Sequence, residues 1–579
     1  MATLPERPPE PASLGGLLLA RCRWVWLAVF LFSQTINGLM LVSSVYMMQV
    51  MDRVLTSGSL ATLTGLTVLA VGALAVLAVL DVLRARVLVR VSAWIERALS
   101  PTVYRRVMEA ALDGRGTGTE PLGDLATVRG FLGGSGLLTL FDVPAVPIYL
   151  GCIYLLHPVL GHVALGGAVL LAGLAVLNDR AAAGPIRQAG IGAGSNMRWA
   201  EAGLRNAEVA DAMGMLPQLT ERWAAGSARV SALQSSASNR AALVMGLSKF
   251  TRLVIQTAIL GTGAMLAVEH AIGASAMIAA SIMLGRGLAP LEQAVGLWKQ
   301  ATQARHAYRR LSDFLARPPR RPAAMPLAVE AGELSVEEAV YRLPDGRPLL
   351  RGVSFGVRPG EALAVVGPSG AGKSTLTRLL VGCLRLDGGT IRLDGGDVFQ
   401  WDRDSFGRAV GYLPQDIELF AGSIRHNIAR LGAAGPEQVV EAARLAQVHE
   451  LILRLPQGYD TEIGEHGARL SAGQRQRIAL ARAFFGRPRL IVLDEPNANL
   501  DSEGEEALNR AIAAAKDWGA AVVMVGHRPG LLSQADRILV LNNGRVERIG
   551  PSQEILSRIT RRATPLRPAP EPALAAAGE

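Results

Sequence analysis

The chain has 579 residues, 50% of them hydrophobic, with a mean hydropathy of +0.27 and a formal net charge of +10. That apolar excess excludes an ordinary soluble protein and points to a membrane domain joined to a soluble one. The basic residues form no aromatic-interleaved stripe, so nucleic acid is not an expected partner.

Residues 1–22 read as a Pro-rich cytoplasmic tail, and 23–314 as a transmembrane domain. Arg21, Arg23, the stretch from Arg84 to Arg106 and that from Arg305 to Arg321 flank apolar runs, as basic residues do beside anionic membrane lipid. Apolar runs occur at Trp24–Val50, Leu60–Leu83, Leu137–Leu156, Val159–Leu177, Phe250–Val268 and Ile272–Leu297, which gives six membrane helices. A helical span needs about 20 residues. The first run is too long for a cleaved signal, and no small-residue cleavage site follows it. Links within successive pairs are short (Met51–Ser59, His157–Pro158, Glu269–Ala271), whereas Arg84–Gly136 and Asn178–Lys249 are long and polar. Those two segments carry nearly all the charge of the membrane half, which places them and both termini in the cytoplasm.

Two ionisable groups fall inside spans, where lipid makes them costly unless they face a cavity or a partner. Asp142 in the third span and Arg286 in the sixth either line a translocation path or play structural roles. Snorkelling and a pair with Glu292 are the alternatives for Arg286; Lys249 and Arg252 read as interfacial anchors. Cys22, Cys152 and Cys383 have no metal or disulfide spacing. Residues 315–332, rich in Pro and Arg, form the expected linker to a second domain at 333–563. A disordered tail is expected at 564–579.

The second domain carries the chemistry. Gly367, Pro368, Ser369, Gly370, Ala371, Gly372, Lys373 and Ser374 fit the P-loop pattern without a mismatch. An apolar strand, Ala362–Val366, precedes them and a helical run, Thr375–Leu380, follows. Such a loop turns backbone N–H groups onto the phosphates of ATP at a helix N-terminus. Lys373 supplies a compact charge for the β- and γ-phosphates, and the Ser374 hydroxyl is placed for Mg²⁺. The chain holds four lysines among 59 basic residues, and one stands here. Gln415 lies past an apolar stretch, where an amide reaches Mg²⁺. Leu490–Leu493 read as a buried strand ending in Asp494, a Mg²⁺ ligand through water, and Glu495, which polarises the attacking water. His527 ends a further strand, Ala521–Val525, within reach of the γ-phosphate.

In this order the motifs resemble those of the ATP-binding-cassette (ABC) ATPases, with a helix-opening LSAGQ at Leu470–Gln474 as the signature. The resemblance implies that Ser471, Ala472, Gly473 and Gln474 close over ATP bound to a second cassette, so that the working unit is a homodimer. It also implies Asn499–Asp501 as the D-loop and Glu465 as a contact to the membrane domain. An aromatic residue that stacks on adenine is usual in the family; here Leu343 holds the place. Tyr341, on the same face of a strand, either substitutes or belongs to the core.

The membrane half is similar to the type I secretion permease/ATPases of the PrtD type. The similarity rests on VYMMQVMDRVLTSGSLATL at Val45–Leu63, GLLTLFDVPAVPIYL at Gly136–Leu150, LRNAEVADAMGML at Leu204–Leu216 and AMIAASIMLGRGLAPLEQAVGLWKQ at Ala276–Gln300. It implies export of an unfolded protein with an uncleaved C-terminal signal, with a periplasmic membrane-fusion adaptor and an outer-membrane channel protein as partners. No cysteine-peptidase domain is expected before Trp24, and Cys22 is not a nucleophile. The rival readings are a lipid or drug exporter and a non-hydrolysing ATP-gated regulator or scaffold; Glu495 and His527 argue against the latter.

Overall fold

The computed structural model describes residues 14–114, 118–321 and 329–562. The expected tail at 564–579, most of the tail at 1–22 and the centre of the linker lie outside them. The chain divides into two compact units, Met1–Pro319 and Arg320–Glu579.

Among the described residues of the first unit, six helical segments are long and apolar enough to cross a membrane. They are Cys22–Ser57, Leu60–Leu112, Ser135–Leu156, Pro158–Leu177, Leu216–Val268 and Ala274–Ala316. The second and fifth have 53 residues each, roughly 80 Å at 1.5 Å per residue. A hydrocarbon core is about 30 Å thick, so the polar parts continue the spans as helical extensions without a break. The third span is interrupted by a 3₁₀ turn at Val143–Ala145. Pro144 and Pro147 remove amide donors there, which is why the helix breaks. Spans three to six share a core of Tyr149, Ile153, Leu160, Ile259, Leu284 and Leu288.

Asp142 and Glu292 have partners that the sequence did not name. Asp142 accepts from buried Arg84 (Nη1–Oδ1 2.7 Å) and from Asn37 (3.0 Å), so it braces the first three spans within one protomer. Arg84 also holds Ser33 Oγ (2.8 Å) and Asp81 (2.8 Å). The Tyr149 hydroxyl donates to Asn37 O at 2.8 Å. Glu292 pairs with Arg252 at 2.7 Å, which replaces the expected Arg286 pair and makes Arg252 an interhelical contact. Arg286 is exposed on the protomer.

In the second unit, two sheets pack around a shared core. The first combines β1 (Leu334–Arg342), β2 (Pro348–Val357), β4 (Gly388–Leu393) and β5 (Gly396–Asp397) in the antiparallel order β2-β1-β4-β5. The second has the order β10-β9-β3-β8-β7-β6. Its strands are β3 (Ala362–Val366), β6 (Val410–Leu413), β7 (Leu490–Asp494), β8 (Ala521–Val525), β9 (Arg537–Asn542) and β10 (Arg545–Pro551). All pair in parallel except the β9–β10 edge. Strands β7 and β8 are buried along their whole length, which explains their unbroken apolar sequences. The unit begins at Arg320, and helix Ala274–Ala316 runs two residues into the expected linker.

Removing one partner of a buried pair leaves a charge without compensation. Asp142→Ala should therefore destabilise the first unit by about 3 kcal/mol, moderated by the remaining Asp81. The paired change Arg84→Met with Asp142→Leu should recover most of that loss. Thermal unfolding of the detergent-solubilised chain reads both; equal stability of Asp142→Ala and the native protein would contradict the brace.

Candidate nucleotide-binding site

Three parallel strands set the site. Val365 of β3 and Asp494 of β7 both align with Val525 of β8. The chain therefore leaves all three at one edge, and Gly367, Glu495 and His527 follow within two residues of it. Ligands of open α/β sheets bind outside this carboxyl edge.

The P-loop is shaped by close packing. A Cβ on Gly367 would stand 2.1 Å from Leu541 O; one on Gly372, where φ is +101°, would stand 2.8 Å from Leu350 Cδ2. Only glycine fits either place. Ala371 is buried beneath the loop, while Pro368, Ser369 and Gly370 are exposed. The helix starts at Lys373, two residues before the expected Thr375. The amides of Lys373, Ser374 and Thr375 thus belong to its first turn, whose N–H groups have no partner within the helix. Lys373 Nζ donates to Gly367 O (2.9 Å) and Pro368 O (3.0 Å), so the ammonium lies folded over the loop.

Behind the loop, side chains from three segments meet. Ser374 Oγ lies 3.5 Å from Gln415 Oε1, and Gln415 Nε2 lies 3.4 Å from Glu495 Oε2. Thr377 Oγ1 donates to Asp494 Oδ2 at 3.2 Å. Asp494 is 2% exposed, and its Oδ1 is buried with no hydrogen-bond partner among the described residues. Burial pushes the Asp494 carboxyl above the usual carboxylate range, and neighbouring Glu495 adds to this against the Ser374 and Thr377 hydroxyls. Glu495 leaves β7 in the left-handed region (φ 49°), its N–H on Val525 O at 3.0 Å. That strained turn brings its carboxylate out of the core to a half-buried position, whereas Asp494 stays inside. His527 is exposed beyond β8.

The signature stands at another helix start. Ser471 caps helix Ala472–Phe484 by a capping box: its Oγ accepts from Gln474 N (3.2 Å), and Gln474 Oε1 accepts from Ser471 N (3.0 Å). Ser471 and Ala472 are exposed, and Gly473 packs against Asn499 O. Gln476 and Arg477 were not singled out by sequence. The Gln476 amide donates to Pro496 O, and its oxygen accepts from Asn499 N at 3.2 Å. Arg477 holds Asp501 at 2.7 Å. Asp501 in turn caps helix Ser502–Asp517, and the backbone N–H of Gly504, then Arg477, hold its carboxyl below the usual range. Only Thr377 had a sequence signal, its i+3 position from Ser374 on one helix face.

Tyr341 packs against the core that includes Leu350, Ala371 and Leu376, while Leu343 is half-buried in the turn after β1. The core alternative for Tyr341 thus has a direct packing basis.

Residues 350–498 match the ABC transporter family. A type I secretion system ATP-binding protein, PrsD, of Rhizobium meliloti (strain 1021) is 40% identical over 565 residues, 97% of this chain and 96% of the relative. The chain belongs to the type I secretion ATP-binding proteins of the ABC transporter superfamily. The cyclolysin secretion/processing ATP-binding protein CyaB of Bordetella pertussis is 31% identical over 91% of the chain and 75% of its own length. A solved bacterial Atm1-family ABC exporter with ATP bound shares the fold, with TM-score 0.81, 24% identity and coverage of 95% of this chain and 100% of that one. This type I secretion ATPase is therefore a multi-pass membrane protein of ABC-exporter fold that binds nucleotide and couples ATPase activity to transport.

The raised Asp494 carboxyl has a consequence for stability. Its folded pKa lies above the unfolded one, so the folded state binds the proton more tightly, and stability falls as pH rises from the unfolded to the folded pKa. Above that window the full cost of an ionised buried group is present. Asp494→Asn should therefore raise the unfolding temperature of the nucleotide-free transporter at pH 7.5. The gain should shrink on acidification into the window. Scanning calorimetry at the two pH values measures it, and a lower unfolding temperature for the variant at pH 7.5 would refute the electrostatic cost.

Proposed function

We propose that this transporter is the inner-membrane ATPase of a type I secretion system, working as a homodimer that exports an unfolded polypeptide with an uncleaved C-terminal signal. The convergence of Lys373, Ser374, Gln415, Asp494 and Glu495 at one sheet edge carries the catalytic part of this reading. Lys373 and the loop Gly367–Ser374, with Thr375, bind the phosphates. Glu495 takes a proton from the attacking water as general base, and His527 positions the γ-phosphate. Gln415 stands between Ser374 and Glu495, so it links the phosphate side of the site to the base.

Mg²⁺ fits the donors present. It favours oxygen ligands and retains waters, and Ser374 Oγ, Gln415 Oε1 and the unpartnered Asp494 Oδ1 are the oxygens available to hold it. When bound, it supplies charge neutralisation between the β- and γ-phosphates. Adenine recognition falls to Tyr341 or to apolar contacts near Leu343.

Ser471 to Gln474 sit at a helix N-terminus, with Ser471 and Ala472 exposed, which suits phosphate, and in this reading they face the partner protomer's P-loop. The cargo reading is supported by the type I relatives, whose names describe secretion or translocation of cyclolysin, RTX-I toxin and leukotoxin. A periplasmic adaptor and an outer-membrane channel complete the path, and anionic lipid contacts the Arg-rich cytoplasmic flanks. The domain limits 23–314, 315–332 and 333–563 and a cytoplasmic location of both termini belong to the same proposal.

Reconstitution with the adaptor, the channel and a cargo encoded beside the transporter tests the proposal. Export at unchanged cargo mass is expected, with loss on deletion of the cargo's last ~60 residues (a few helical turns with a lead). Glu495→Gln should retain ATP binding and lower turnover by about 10²-fold or more, abolishing export; Lys373→Ala should weaken binding instead. Export of tail-less cargo, or a cargo cut at its N-terminus, would sink the type I reading.

The composite site has its own check. Chains carrying Lys373→Ala are mixed with chains carrying Ser471→Arg, so that a mixed dimer has one doubly lesioned site and one intact site. Partial recovery of ATPase over either variant alone is expected. An active strict monomer would rule the arrangement out.

A further inference from the structure

The P-loop helix, Lys373–Leu380, has eight residues, a rod of about 12 Å. Leu376, Thr377, Leu379 and Leu380 are buried and hold it rigidly in the core. Its N-terminus faces the phosphate site. Its other end carries an arrangement that the ATPase chemistry does not use.

Three consecutive carbonyls beyond the helix each take one guanidinium. Val381 O accepts from Arg403 Nη2 at 2.6 Å, Gly382 O from Arg321, and Cys383 O from Arg320 Nη2 at 2.6 Å. Arg320 and Arg321 also stand over the Phe399 ring, 5.5 and 4.8 Å from its centroid, and Arg403 lies 4.3 Å from that of Phe406. Burial lowers Arg403 to about 10, which leaves it cationic at neutral pH. Cations suit this end of a helix, where the partial charge is negative, and aromatic faces add cation–π attraction.

Arg320 and Arg321 are the first residues of the second unit. The sixth span ends at Ala316, so Arg317, Pro318 and Pro319 alone separate it from the clamp. Arg317 has φ −61° and ψ 140°, the extended conformation imposed by a following proline. Its carbonyl accepts from Arg106 Nη1 at 3.3 Å. Two successive prolines stiffen the connection.

We propose that Arg320 and Arg321 are positioning residues that tie the far end of the P-loop helix to the sixth span, so that nucleotide at one end of the rod is felt in the membrane unit through the Arg317–Pro319 strut. They touch neither nucleotide nor cargo, and the export part of their role rests on the transport reading above.

The test uses the full-length protein in lipid nanodiscs with the double change Arg320→Ala and Arg321→Ala. In a Glu495→Gln background, hydrogen exchange over residues 300–316 should respond to ATP with the native linker and lose that response in the variant, at unchanged ATP affinity. With Glu495 intact, ATP hydrolysis should persist while export per ATP falls at least about fivefold, the low end of ordinary coupling energies. An ATP response that survives in the variant, or unchanged export per ATP, overturns the proposal. Should the double variant fail to accumulate, Arg321→Lys and Phe399→Leu weaken the same clamp. Graded loss of the response supports it, and full responses in both overturn it. A native chain that exports nothing speaks against the transport reading and leaves the exchange result standing.

Discussion

The parallel register of β3, β7 and β8 is the constraint on which the rest of the ATPase depends. Because Val365, Asp494 and Val525 stand side by side, three separate loops open at one edge with their chemistry already aligned. Up to Asp494 the strands are apolar, and all but Val366 of their residues are buried, so a one-residue slip would misplace the edge while gaining no burial. On the other side of β3, Gly367 fits closely against Leu541 O of β9. The site is therefore positioned by the least polar part of the domain.

Within that frame, adjacent acids receive different environments. Asp494 ends the strand inside the core and keeps one oxygen without a hydrogen-bond partner among the described residues, whereas Glu495 turns outward through a left-handed residue. One is suited to hold a cation, the other to meet water. The strain at Glu495 is compatible with its N–H bond to Val525, which fixes the turn to the neighbouring strand. Gln476 and Arg477 do comparable work from the signature helix, since they fasten the loop through Pro496, Asn499 and Asp501. A change in the signature helix therefore reaches the segment 499–501 directly.

The membrane unit solves its polar problem by pairing. Arg84, Asp142, Asp81, Ser33 and Asn37 bond one another across the first three spans, where lipid would otherwise make each costly; Arg84 Nε alone of that guanidinium has no hydrogen-bond partner among the described residues. The network sits where Pro144 and Pro147 interrupt the third span, so the break in helical hydrogen bonding is accompanied by side-chain bonds that tie it to its neighbours.

Much of this was legible in the chain itself. Residues Ala362–Val366 and Ala521–Val525 appear as strands with the limits read from their apolar runs, because short continuous apolar stretches between turn signals suit buried parallel strands. The six spans followed from length and hydropathy, since lipid leaves a helix few alternatives. The P-loop was plain because its glycines, lysine and serine have a fixed local spacing. Partnerships across the chain were not legible. A pair with Glu292 was one alternative for Arg286, yet Arg252 on another helix takes Glu292; Asp142 was open to a cavity or a partner, and its partner is Arg84, 58 residues earlier. Gln476 and the Arg320–Arg321 clamp left no local pattern at all. Sequence by itself determined the elements and the phosphate loop, which depend on neighbours a few residues apart; which distant side chains meet was decided only by tertiary packing, because that depends on how whole helices and strands are brought together.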